Sequence, residues 1–269
     1  MPTTFQALIL GLLQGLAEFL PVSSSAHLAL APWLFHWPDP GLSFDVALHF
    51  GTLVAVLWYF RAEWASLIRA ARQIVTTRKI ETIEQKRAAF IVVSTIPGGI
   101  AGLLLEKKAE HAFRSPVLIA SALILLGIIL WVVDKRAPAE RPITHMRWSD
   151  AIWIGIAQMF ALVPGVSRSG STITAGRALG FDRNGVAAFS FMISMPIIAG
   201  AALLKVPHVL HESGLTTPLV VGVLASAVSG WLAISVLLKY VSRHSYGVFA
   251  VYRVVLGVIV LGIYFARGG

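Results

Sequence analysis

Two hydroxyl-rich segments carry the residues with chemical potential, QGLAEFLPVSSSAH from Gln14 to His27 and QMFALVPGVSRSGST from Gln158 to Thr172. In the first, Gln14 and Glu18 stand four residues apart and share a helix face that points toward Pro21. A carboxylate in apolar sequence marks a pathway or a site unless it is protonated or paired within the bundle. Ser23, Ser24 and Ser25 follow the proline, where hydroxyls either cap free backbone N–H groups or face a ligand. His27 lies three residues after Ser24, so one helical turn can bring hydroxyl and imidazole together, as an activated nucleophile requires. Glu18 would then orient a serine or histidine, or hold a divalent cation with Gln14 and substrate phosphates, because Mg²⁺ takes oxygen ligands.

The second segment is the natural complement. Gly165 and the later glycine let backbone amides approach a ligand, and Ser167, Ser169 and Thr172 can surround phosphate oxygens. Arg168 is the clamp, since guanidinium meets two phosphate oxygens at once and the start of the following helix adds positive potential. The plainer alternative is a packing break whose arginine snorkels to water. The two segments are also one pattern repeated. With Gly11 set on Gly155, Gln14 falls on Gln158 and Ser23-Ser24-Ser25 on Ser167-Arg168-Ser169, all at an offset of 144, while Pro21 and Pro164 slip by one residue.

The elements that must hold these residues are membrane helices. At 57% hydrophobic, 13% charged and a mean hydropathy of +0.77, the chain is too apolar for an ordinary soluble domain. It contains no cysteine, which excludes disulfides and thiolate catalysis. The net charge of +9 sits mainly in loops between apolar runs, where orientation explains it better than nucleic acid does. Six segments approach spanning length: roughly 44–60, 88–105, 116–133, 185–204, 217–239 and 246–266. Two shorter ones, 5–20 and 149–163, end in proline and lead into short helices at about 24–36 and 169–180. Irregular backbone at membrane depth survives only inside protein or along a cavity, so both pairs read as re-entrant hairpins facing an internal site.

The expected fold is therefore a single all-α polytopic membrane domain over 1–269, with repeat 1 about 1–134 and repeat 2 about 149–269. One hairpin plus three spans per half makes the repeat inverted in topology. Placing 61–87 and the 134–148 loop in the cytoplasm puts 14 basic residues inside and five outside (Lys107, Lys108, Arg114, Lys205 and Arg267), with both termini external. Arg168, Arg177 and Arg253 remain within apolar or re-entrant sequence; the last two either bind phosphate or hold the bundle. Asp45 and His49 share a face of the first span and either support the site or pair within the bundle.

Both motifs together, and LGFDRNGVAAFSFMISMP from Leu179 to Pro196, closely resemble the bacterial undecaprenyl-diphosphate phosphatase family of the bacitracin-resistance type, over essentially the whole chain. That family carries Glu or Gln at the first acidic position, so Gln14 leaves Glu18 as the only carboxylate of the motif. The resemblance implies an inner-membrane enzyme that converts a lipid diphosphate to the monophosphate carrier of wall polymers. It further implies a homodimer among membrane lipids, stimulation by Mg²⁺ or Ca²⁺, and a site open to the outer face. It assigns Ser24 as catalytic serine, His27 as its acid–base partner or itself the nucleophile, Arg168 as phosphate clamp and Glu18 as activating carboxylate or cation ligand. Ser23, Ser25, Gly165, Ser167, Ser169 and Thr172 would line the phosphate pocket. Two other classes compete. A transporter or flippase of a lipid-linked or small anion uses the same broken helices without chemistry, and an intramembrane serine protease would leave two phosphate-type turns surplus.

Overall fold

The computed structural model describes residues 2–112, 115–138 and 140–268; side chains of 105–112, 208–210, 212 and 213 lie outside the description, and with them Lys107 and Lys108, as does Arg114. The described residues are mainly helical and include no strand, only one isolated bridge between Arg141 and Phe181. Among the described residues, six helices have the length and apolarity to cross a membrane: α3 (Leu42–Tyr59), α5 (Ile83–Ala112), α6 (Pro116–Arg136), α9 (Arg183–Ser213), α10 (Thr217–Val241) and α11 (Gly247–Ala266). They coincide with the six apolar runs. Four short helices form two pairs, α1 (Thr4–Phe19) with α2 (Ser24–Phe35), and α7 (Trp148–Met159) with α8 (Arg168–Ala178). A 3₁₀ turn at Phe160–Leu162 prolongs α7 toward its break. One element was not anticipated: α4 (Arg61–Thr77), inside the basic 61–87 stretch, buries Leu67 and Ala70 and exposes Ile68 and Val75.

Small residues set the packing. α1 lies on α10, and α7 lies on α5. A Cβ on Gly15 would come within 2.0 Å of Ser229 Oγ and 2.4 Å of the Ser226 carbonyl, and one on Gly155 within 2.8 Å of the Ser94 carbonyl, so at both places the helix backbones touch. The α6–α11 pair and the α3–α9 contact complete the bundle. Without a hydrophobic difference between lipid and protein, such close approach supplies the dispersion energy that holds membrane helices together.

The buried arginines resolve into bundle supports. Arg177 is fully buried; its Nε donates to Asp134 Oδ1 at 2.7 Å, and its Nη atoms donate to the carbonyls of Ala137, Pro138 and Phe181. Arg183 reaches the same Asp134 oxygen at 2.8 Å, and the Tyr246 amide donates to Oδ2 at 2.9 Å. The Tyr246 hydroxyl donates to the Arg183 carbonyl at 2.8 Å. Arg253, also fully buried, sends Nη2 to the carbonyls of Gly165 (2.8 Å) and Val166 (3.0 Å), Nη1 to Pro21 (3.3 Å) and Nε to Leu123 (3.4 Å). The Pro21, Gly165 and Val166 carbonyls are freed by the two helix breaks. One guanidinium satisfies both sets, as water-free surroundings demand.

Candidate functional site

Both breaks turn the chain in the same unusual way. Ser23 has φ 76° and Ser167 φ 71°, a region that costs a side-chain-bearing residue energy and persists only when surroundings enforce it. Each serine caps the helix it precedes, taking an N–H from Ala26 or Gly170, and each hydroxyl lies 3.2 Å from that of the serine two residues on. The tips also join directly. The Gly165 amide donates to Ser23 Oγ at 3.1 Å, and Ser169 Oγ donates to the Leu20 carbonyl at 3.1 Å. Ser24 and Arg168, equivalent at the offset of 144, are thus the first residues of α2 and α8, and both bond Glu18 at the junction.

Glu18 organises the junction. Its Oε2 accepts from Ser24 Oγ at 2.6 Å and from Gln14 Nε2 at 3.1 Å, and lies 3.4 Å from His49 Nε2. Its Oε1 accepts from Arg168 Nη2 at 2.9 Å, while Arg168 Nη1 donates to the Ser190 carbonyl at 2.7 Å. The carboxylate is buried and Arg168 nearly so, so breaking this pair from either side would leave an uncompensated charge, at a cost of about 3–5 kcal/mol. Beside it lies a cavity of about 170 Å³, lined by Glu18, Ser24, Ser25, His49, Gln158, Ser167, Arg168 and Ser194 on its polar side, and by Gly98, Ala161, Leu162, Ile197 and Ile198 on its apolar side. A hydroxyl bonded to a carboxylate, a guanidinium and an apolar wall suit an amphiphilic phosphate ester.

Comparison with known proteins agrees with this chemistry. The family described as "Bacitracin resistance protein BacA" matches residues 7–259. The chain belongs to the BacA family. Relatives share nearly the whole length. The undecaprenyl-diphosphatase of Gemmatimonas aurantiaca is 58% identical over 258 residues, 96% of this chain and 97% of the relative. Those of Pelotomaculum thermopropionicum and Moorella thermoacetica are 47% identical over 265 residues and 48% over 268, each covering 98% of this chain and 98% and 99% of the relative.

Within this BacA-family site, the motif residues divide. Glu18, Ser24, Ser25, Ser167 and Arg168 line the cavity. Ser23, Ser169, Thr172 and Gly165 instead build the tips: Thr172 Oγ1 bonds the Arg168 carbonyl and Ser190 Oγ, and the Gly165 carbonyl takes Arg253. The Ser24–His27 contact suggested by their spacing is not formed. His27 Nδ1 donates to the Ser23 carbonyl at 2.7 Å and Nε2 meets the Tyr252 hydroxyl at 2.7 Å, so both ring nitrogens are engaged and the ring supports the turn. The helical rise explains this, because the imidazole folds back on its own preceding turn rather than toward the cavity. Both Glu18 oxygens accept from protein donors, while Gln14, whose Oε1 is buried without a hydrogen-bond partner, does not line the cavity. Three polar lining residues were not assigned to the cavity, namely His49, weighed only as a support of the site, Gln158 and Ser194. The Gln14–Gln158 equivalence was the available signal for the second of these.

Proposed function

We propose that this multi-pass membrane protein hydrolyses undecaprenyl diphosphate to undecaprenyl phosphate and inorganic phosphate, the activity that its relatives' name states. The observation that carries the reading is Ser24 Oγ at 2.6 Å from Glu18 Oε2 in a cavity that Arg168 shares. Ser24 attacks the terminal phosphorus as Glu18 accepts its proton, and the undecaprenyl phosphate leaves; water then releases phosphate from Ser24. Arg168 N–H groups beyond those held by Glu18 and Ser190 take phosphate oxygens, aided by the positive ends of α2 and α8. His27 fixes the Ser23 carbonyl and thereby the helix that presents Ser24. Leu162, Ile197 and Ile198 receive the first isoprene units. A transporter needs the guanidinium but not a hydroxyl already bonded to a carboxylate. Detergent-purified protein given undecaprenyl diphosphate should release inorganic phosphate; no release would favour transport.

The remaining parts of the proposal concern setting. A divalent cation, Mg²⁺ or Ca²⁺, arrives on the substrate's phosphates rather than on Gln14 and Glu18, so Gln14→Ala should leave the cation concentration for half-maximal rate unchanged. The α1–α2 and α7–α8 pairs are re-entrant hairpins of an inverted repeat, which the shared backbone of Ser23 and Ser167 and the equivalent α1–α10 and α7–α5 packings support. The protein sits in the bacterial inner membrane with both termini and the cavity mouth on the outer side, supported by the 14 to five distribution of basic residues. It works as a homodimer, as the resemblance implies; light scattering in detergent should give twice the chain mass.

A further inference from the structure

The imidazole that lines the cavity belongs to His49 of α3, not to His27. Its Nδ1 lies 2.7 Å from the Asp45 carbonyl, which can only accept, so Nδ1 keeps its proton and Nε2 is the atom that can gain or lose one. Nε2 stands 3.4 Å from Glu18 Oε2, the same oxygen that accepts from Ser24. Glu18 meanwhile holds Arg168 through Oε1. A Glu18 that kept the proton of Ser24 would become neutral and leave a largely buried guanidinium without its counter-charge. Gln14, the other side chain on Oε2, donates but cannot take a proton.

We propose that His49 is a proton-relay residue acting through Glu18, which takes the proton that Ser24 gives up and returns it when water completes the cycle. The inference rests on the Ser24–Glu18 reading above. As the bond from Ser24 Oγ to phosphorus forms, its O–H breaks and the proton passes to Glu18 Oε2 and on to His49 Nε2. The bridging P–O bond breaks with its electron pair on the departing undecaprenyl phosphate. When water attacks, the Oγ–P bond breaks and Oγ recovers the proton by the reverse route. The water's hydroxyl joins the phosphate, and its other proton leaves with the product. Glu18 is thereby ionised again before Arg168 must bind the newly formed phosphate charge.

His49→Gln keeps a polar group beside Glu18 but cannot carry a proton. It should lower kcat about 100-fold, the range of a lost acid–base group, with KM changed less than about twofold. Two restorations separate a relay from packing. Imidazole added to His49→Ala should recover turnover, and Gln14→Glu in the His49→Gln protein should do so too, because it places a second carboxylate where Gln14 now lies 3.1 Å from Glu18 Oε2. If His49→Ala fails to fold in detergent, the Gln14→Glu arm decides alone. The relay is overturned by near-normal kcat in His49→Gln, or by a loss that neither restoration relieves. Ser24→Ala distinguishes the underlying reading: if it turns over, the nucleophile is misassigned; if it is inactive while His49→Gln is normal, only the relay falls.

Discussion

Arg253→Met tests whether the two helix breaks depend on one guanidinium. Methionine fills much of the same volume but donates nothing. The substitution removes the two short bonds to Gly165 (2.8 Å) and Val166 (3.0 Å) and the longer ones to Pro21 (3.3 Å) and Leu123 (3.4 Å). Each buried carbonyl deprived of its donor costs about 1–3 kcal/mol, so the two short bonds represent about 2–6 kcal/mol. Relief from burying a guanidinium offsets part of this, leaving about 2–4 kcal/mol. For a chain of this size that corresponds to a fall of roughly 5–15 °C in the unfolding midpoint. Turnover should drop further than stability suggests, because Gly165 donates to Ser23, next to Ser24, and misplacing a reacting group by an ångström can cost about 100-fold. Tryptophan fluorescence during heating in detergent and phosphate release by the folded protein at low temperature report the two effects separately. A midpoint within about 2 °C of the parent together with parental turnover would refute the argument.

Arg168→Lys should lose about 100-fold in phosphate release despite retaining charge, because one ammonium cannot span Glu18, the Ser190 carbonyl and a phosphate as the planar guanidinium does. Ser25→Ala should keep measurable turnover, whereas Ser23→Ala should lower thermal stability by about 1–2 kcal/mol, since it removes both the α2 cap and the acceptor of the Gly165 amide. Equal, negligible effects would deny Ser23 its place in the tip. Orientation is open to single cysteines in this cysteine-free chain: Val75→Cys should resist a membrane-impermeant thiol reagent in intact cells and Leu215→Cys, also well exposed, should react. The reverse labelling would invert the proposed topology.

The six spans and the two short pairs were legible because apolar run length and proline position are local signals. The offset of 144 likewise located both tips, and the residue types chose Glu18, Ser24 and Arg168 from them. What the sequence hid was direction. Serines 23 and 24 look alike in a row, yet the positive φ at Ser23 turns one hydroxyl onto Gly165 and leaves the other for Glu18. Ser-x-x-His spacing permitted a contact that the rotamer of His27 declines. His49 was visible only as half of an Asp45–His49 pair; its approach to Glu18 depends on how α3 packs against α1. α4 was masked by its charge: Trp64, Leu67 and Ile74 recur at helical spacing, but among the arginines of a basic stretch.

The pairing of α1 with α10 bears on how the protein is made. Gly11, near the start of the chain, packs against Gly222, near its end, so the first helix emerges with its small-residue face uncovered. At ordinary translation speeds of about 5–20 residues per second, roughly 10–40 s pass before the partner helix is synthesised. During that interval a helix of 16 residues carrying a buried Gln14 and Glu18 has α2 and α3 beside it but lacks its main native partner. The nascent chain therefore needs a waiting place, in the insertion machinery or at the membrane surface, and the catalytic junction can close only after nearly all of the protein has left the ribosome.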